Sequence, residues 1–408
     1  MKNCYLFFLF ISFAATAQRP VPPAPLPDPE ASLLTYRASL AKLRQEHQQQ
    51  RDLPELSFFL FGMGDRLKLI YRDGRLLNAI TGNIEEQWTV KRALVIPSEY
   101  TVHLDLAGVP PGQPQTVQVR EDENGVWILQ PGKRPRLIPG TRSPLVLPRF
   151  AGTTYGPILR VLHQEILVNV INGRPVPNFM AYARPWYRDA ALMAMVLRET
   201  GNLRLIRDWI LALRDPFDRN ASSIGEADNP GQVLFLVSLV SDKTHPVVQT
   251  ALDSVQPFRR DSYIAGKTDA GEHPVYQTKW LKYGLKVLGL PDPYIIPTQY
   301  DSYSSLFWWD YKGEHVAAPD TPPKKTDESV SRHFPYLTWA EDHFYSRPDS
   351  PERRGMVGNL DYPLSWEQQA SHAHYPGMTI LDKELTRKKL AFPHSRHAAE
   401  MFLLLMTP

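Results

Sequence analysis

The stretch YARPWYRDAALMAMVLRETGNLRLI, residues 182–206, decides how the chain is read, because it sets Arg188 and Asp189 side by side at the head of a long apolar helix. A charge taken out of water costs several kcal/mol, roughly, unless something pairs with it or binds it. One reading makes this a helix entry, with Asp189 near the positive end of the helix as its cap and Arg188 paired with a neighbour. The aromatic residues Trp186 and Tyr187 are then core. The other reading makes it a polar pocket floor between aromatic walls, an arrangement suited to holding a sugar ring.

Outward from this stretch, the chain after Phe150 reads as helices joined by proline-bearing loops. Ten helical segments are expected. They are Tyr155 to Val170, Trp186 to Thr200, Leu203 to Leu213, Asn229 to Val240, Pro246 to Ser254, Val275 to Leu288, Tyr300 to Tyr311, Leu337 to Phe344, Ser365 to His374 and His394 to Met406. Runs such as VLFLVSLV and AAEMFLLLM have almost no polar face, which implies neighbours on every side. A double ring of helices supplies such neighbours, so residues 151–408 are expected to form a mainly α domain, an (α/α)6 toroid or six-hairpin barrel. Residues 311–335, rich in Pro, Lys and Asp, read as an exposed loop.

Residues 56–150 have a different texture. LSFFLFGMG, DRLKLIYRDGRLLNAI, YTVHLDLAG and QTVQVREDENGVWIL are short apolar or alternating runs separated by Asp-Gly, Pro-Gly and Asn-Gly turns. YRDGRL and DENGVW read as hairpins. A small antiparallel, sandwich-like β domain is expected before the helical one. Ahead of it, residues 18–55 read as a proline-rich tether and one helix starting near Leu33.

MKNCYLFFLFISFAATAQ, residues 1–18, has an early lysine, an apolar run and a small-x-small end, Ala15-Thr16-Ala17. That is the pattern of a secretory signal peptide over residues 1–17, with cleavage before Gln18. The run is shorter than the roughly 20 apolar residues a membrane span needs, and no later segment resembles one. The single cysteine, Cys4, falls inside this segment, so the exported chain is expected to carry no thiol chemistry. The net charge of +3 over 408 residues and the scattered short basic runs argue against a nucleic-acid surface. Nine tryptophans and eighteen tyrosines are a supply that suits stacking on carbohydrate.

Polar and aromatic residues concentrate between the helices. IGEADNPGQ offers Glu226, Asp228, Asn229 and Gln232, with Pro230 in a first helical turn; in the plainer reading Asp228 or Asn229 only caps that helix. GEHPVYQTKW offers Glu272, His273, Gln277 and Lys279. YDSYSSLFWWDY offers Asp301, Tyr303, Trp308 and Trp309, and LDYPLSWEQQASHAH offers Asp361, Trp366, Glu367, Gln368, His372 and His374. Neither the histidines nor Glu341, Asp342 and His343 have a metal-ligand spacing such as HExxH, so neither metal nor cofactor is expected. No Gly-x-Ser-x-Gly elbow and no glycine-rich phosphate loop is present. Glycoside hydrolysis fits what remains: one carboxyl protonates the leaving oxygen, and another activates water or attacks the sugar.

ARPWYRDAALMAM also resembles the "RP, two residues, RD" element of the glucoamylase-like, six-hairpin glycosidases, and WEQQASHAHYPGM resembles that superfamily's "EQ" element. The resemblance implies Arg188 and Asp189 as binders of sugar hydroxyls and Glu367 as general base, with Gln368 beside it. It implies a general acid in a mid-chain loop, which matches Glu226 best, with Asp228 as competitor. Inversion is implied by the resemblance alone. Trp186, Tyr187, Asn229, Gln232, Tyr303, Trp308 and Trp366 complete the expected sugar contacts. Two alternatives stand beside an exported glycoside hydrolase. A polysaccharide lyase or unsaturated-uronyl hydrolase would use His163, His273, His372, Tyr303 and Arg188. A glycan-binding protein without turnover would need none of the chemistry.

Overall fold

The computed structural model describes residues 20–46, 58–180, 182–220, 223–268, 271–297 and 394–406. The expected signal peptide, the three helices expected between Tyr300 and His374, and the loop expected over 311–335 lie outside these residues.

Nine strands occupy the N-terminal region in two antiparallel sheets. The first sheet runs in chain order through β1 (Phe58–Phe61), β2 (Leu69–Arg72), β3 (Arg75–Asn78) and β4 (Ile84–Gln87). The second is a meander of β5 (Val90–Ile96), β6 (Thr101–Leu106), β7 (Thr116–Glu121), β8 (Val126–Leu129) and β9 (Arg136–Leu137). The hairpin read at YRDGRL is present: Asp73 and Gly74 take φ of 46° and 76° between β2 and β3, as a tight two-residue turn requires. Side chains alternate across a strand. One face of the first sheet (Phe59, Phe61, Leu69, Tyr71) therefore packs on the second sheet through Val102, Leu104, Val117 and Val119. Its other face (Phe58, Leu60, Ile70, Leu77) packs on Val176 and Phe179. A sheet covered on both faces explains why β1 reads as an unbroken apolar run.

The proline-rich segment is laid along β7. The Gln118 side chain accepts from the Leu26 amide at 2.9 Å and donates to the Leu26 carbonyl at 3.2 Å. The helix α1 (Pro29–Glu46) follows and packs on β5 and on α2 (Gly156–Val168).

The expected (α/α)6 toroid is not what the chain forms. Helix makes up 37% and strand 20%, with the two antiparallel sheets holding the N-terminal region and only eight α-helices among the described residues. After α2 come α3 (Tyr187–Glu199), the five-residue α4 (Arg207–Leu211), α5 (Asn229–Ser238), α6 (Pro246–Ser254), α7 (Pro274–Val287) and α8 (Ser395–Met406). α8 packs between α2 and α3, α3 packs on α5, and α5 lies against α6 and α7. An apolar run on a helix requires cover by neighbouring elements, not a closed ring of helices. Val233–Val237 are buried because α5 has α3, α6 and α7 around it, and Ala398–Leu403 because α8 lies on α2 and α3; neither needs a closed ring.

No helix among the described residues is long and apolar enough to cross a membrane.

Candidate functional site

α3 begins without a cap of its own. Trp186, at the N-cap position, is extended and makes no side-chain capping bond. The cap comes from elsewhere: the Tyr187 amide donates to Asp218 Oδ2 at 2.6 Å, and the Asn220 amide donates to Asp218 Oδ1 at 3.0 Å. Asp189, expected as cap or sugar ligand, faces the other way. Its Oδ1 accepts from the Arg396 amide at 3.1 Å and the Ser395 hydroxyl at 3.4 Å, so it serves the start of α8. Its Oδ2 is buried with no hydrogen-bond partner among the described residues. Trp186 belongs to the same side, where its ring lies 5.0 Å from Tyr182 and 5.4 Å from His394, centroid to centroid.

Arg188 projects toward the start of α5. Its Nε donates to Asp228 Oδ2 at 3.2 Å and its Nη2 to Glu226 Oε2 at 3.5 Å. Asp228 stands at the N-cap position of α5 but makes no capping bond. Its carboxylate instead accepts from Arg188, from Gln232 Nε2 at 2.7 Å and from the Thr268 hydroxyl at 3.1 Å. The lattice continues outward: Asn229 Nδ2 donates to Gln232 Oε1 at 3.2 Å, and Gln277 Nε2 donates to Thr268 Oγ1 at 2.7 Å. The Tyr276 ring lies under the guanidinium, 5.9 Å from centroid to Cζ. Glu226, Asp228, Asn229, Gln232, Thr268 and Gln277 are all buried. The starts of α3, α5 and α7 and the segment leading into α7 thus bring two carboxyl groups, one guanidinium, three amide side chains, a threonine and a tyrosine into one network.

Burial, ahead of the Asp228 charge, pushes the Asp218 carboxyl up to about 6, against the pull of its two amide donors and Arg188. Burial likewise raises the Tyr187 phenol. That hydroxyl is turned inward, donating to the Asp215 carbonyl at 2.8 Å, so Tyr187 is not an open wall for a ligand.

Of the expected site residues, Arg188, Glu226, Asp228, Asn229 and Gln232 are brought together. Asp189 and Trp186 sit on the α8 side of the same helical turn. Glu367, Gln368, Trp366, Tyr303, Trp308 and His372 lie outside the described residues. His163, a candidate base for the lyase reading, is buried between Phe150 and Phe402, and burial pushes its pKa down to about 3. Glu272 pairs instead with Arg260 at 3.6 Å. Asp218, Thr268 and Tyr276 were not expected. Asp218 stands in DPFDRN, eleven residues before Asn229, whose side chain accepts from the Asp218 amide at 3.3 Å; nothing local in DPFDRN signals that contact.

A cavity of about 480 Å³ lies among Leu203, Arg204, Arg207 and the Ser238–Asp242 segment at the far end of α5. A helix of ten residues puts it about 15 Å from the carboxylates, too far to serve them. No group of three His, Cys, Asp or Glu among the described residues is placed to hold a metal ion. Comparison of the chain with protein-family models, with curated proteins and with solved structures finds no match.

Proposed function

We propose that the protein is an exported glycoside hydrolase that works by carboxylate general acid/base chemistry with inversion. The observation that carries this reading is the convergence of Glu226 and Asp228 on Arg188 at the adjoining starts of α3 and α5. Such a set supplies what glycosidic cleavage needs: a carboxyl to protonate the leaving oxygen and amide and hydroxyl groups to orient the ring. Asp228, tied by three donors, holds the guanidinium and the amides in place. Proton donation falls to Glu226, whose longer side chain can reach a leaving oxygen. The general base is Glu367, on the resemblance of its Glu-Gln pair to the glycosidase element. Export follows from the signal-like residues 1–17.

The test is a screen of the purified protein against plant and bacterial oligosaccharides, followed by E226Q, D228N and E367Q on the substrate found. E367Q should cut kcat by about 10²–10⁴-fold with binding kept within tenfold. On a substrate with an activated aryl leaving group, which departs without protonation, E226Q should recover activity and D228N should not. Binding without any turnover by the unaltered protein would leave the glycan-binding alternative. Rescue of D228N alone would exchange the two roles.

A further inference from the structure

We propose that the cavity at the far end of α5 is a second binding site, for a small zwitterion: a free amino acid or short peptide with an apolar side chain. This site stands apart from the carboxylate network and does not depend on the hydrolase reading. Its volume of about 480 Å³ falls within the range of small-molecule pockets, and each kind of lining group matches one part of such a ligand. Arg204 and Arg207, three residues apart, bring two guanidinium groups to it. The Arg204 side chain makes its one hydrogen bond among the described residues to a neutral acceptor, the Pro144 carbonyl. The acid beside Arg207 is its exposed neighbour Asp208, at 3.7 Å and so beyond hydrogen-bond reach. Arg66 and Arg188 differ, each donating to a buried carboxylate. The two cavity arginines thus keep N–H donors for an incoming carboxylate, which a planar guanidinium can hold with two parallel bonds. The second lining segment has the opposite sign. Ser238 ends α5, where the helix carries its negative partial charge, and Asp242 follows four residues on. Asp242 Oδ1 accepts from the Thr244 amide at 2.8 Å and the Thr244 hydroxyl at 2.6 Å, which leaves Oδ2 without a hydrogen-bond partner among the described residues. An ammonium group suits that side and a carboxylate does not, so a plain anion answers only half of the cavity. Leu203, Leu239 and Val240 add apolar surface for the side chain.

The experiment is equilibrium dialysis of the full chain against isotope-labelled leucine and, separately, labelled leucyl-leucine, with N-acetyl-leucine, leucinamide and glycine as competitors. At least one label should bind. N-acetyl-leucine and leucinamide, each lacking one charge, should compete about threefold to fivefold less well than leucine, the scale of an exposed ion pair. Glycine, with no side chain to lay on the apolar surface, should compete weakest. R207A should weaken leucine and N-acetyl-leucine and spare leucinamide. D242N, whose amide oxygen can still accept from Thr244, should weaken leucine and leucinamide and spare N-acetyl-leucine. A preference for one label over the other separates a free amino acid from a peptide, and either keeps the site. Three results would overturn the inference: no uptake of either label at about 10 mM, N-acetyl-leucine competing as well as leucine, or binding that neither substitution changes. None of them bears on the oligosaccharide screen, so the hydrolase reading stands or falls separately.

Discussion

Asp218 shows how a single residue can be both a cap and a liability. It accepts the first amide of α3 at 2.6 Å, yet burial raises its carboxyl from 3.8 to about 6. Between those values the folded chain keeps a proton that the unfolded chain has shed, so stability falls as pH rises from about 4 through 6. Above that window the full cost of a buried charge remains. Asparagine cannot ionise, and its carbonyl oxygen can still accept from Tyr187. D218N should therefore be more stable than the unaltered protein at pH 7.5, by about 1–3 kcal/mol, and the difference should close as pH approaches 4. Urea denaturation at four pH values measures it. A variant weaker at pH 7.5 would mean that attraction to the α3 terminus and Arg188 outweighs burial. The neighbouring pair was half legible. That Arg188 and Asp189 needed partners followed from the cost of buried charge; which partners followed from nothing local. Glu226 and Asp228 stand about forty residues further on, and the α8 start more than two hundred.

At the scale of elements, the crossing of α5 and α7 positions the network. Gln232 is on α5, and Tyr276 and Gln277 are on α7, so their meeting depends on how closely the two backbones approach. Two glycines set that distance. A Cβ on Gly231 would come within 2.4 Å of the Trp280 carbonyl carbon, and one on Gly284 within 2.7 Å of both the Gly231 oxygen and Leu234 Cβ. Backbone cannot yield as a flexible side chain can. G284A should cost about 2 kcal/mol or more despite alanine's better helix propensity, and should separate Gln232 from Tyr276. Equilibrium unfolding gives the first quantity. A tenfold or greater loss of ligand affinity in the still-folded variant gives the second, and unchanged stability would mean that the helices do not cross this tightly. The sequence showed both helices, at nearly these bounds, from apolar spacing and the prolines at their starts. It did not show the crossing, because a glycine inside a helical pattern looks the same whether it lies in contact or faces water.

At the scale of the molecule, one carboxylate joins the sheets to the helices. Glu121, at the end of β7, accepts from the Gly62 amide at 2.9 Å, the Met63 amide at 2.8 Å and Arg66 Nη1 at 2.9 Å. These residues form the loop from β1 to β2. Gly62 takes a φ of 99°, and any Cβ there would meet the Leu67 oxygen at 2.2 Å. The loop carries Met63 into the helical core, while Phe61 and Leu69 on either side remain in the sheet core. Lys68, buried with its pKa pushed down to about 7 by desolvation, donates to the Gly62 and Gly64 carbonyls. GMGDRLK reads in isolation as a turn before a strand, and its role emerges only with Glu121, nearly sixty residues away. The toroid reading failed at this same scale: apolar runs report how much of a helix is covered, not by which elements. E121Q keeps the shape but turns an NH2 group toward at least one of three donors and leaves Arg66 without its charge partner. It should cost about 3–5 kcal/mol. Because the loop enters both cores, the loss should appear as one shifted transition in both far-ultraviolet circular dichroism and tryptophan fluorescence. A loss under about 1 kcal/mol, or a sheet transition that separates from an unshifted helical one, would show that the two halves stand without the clamp.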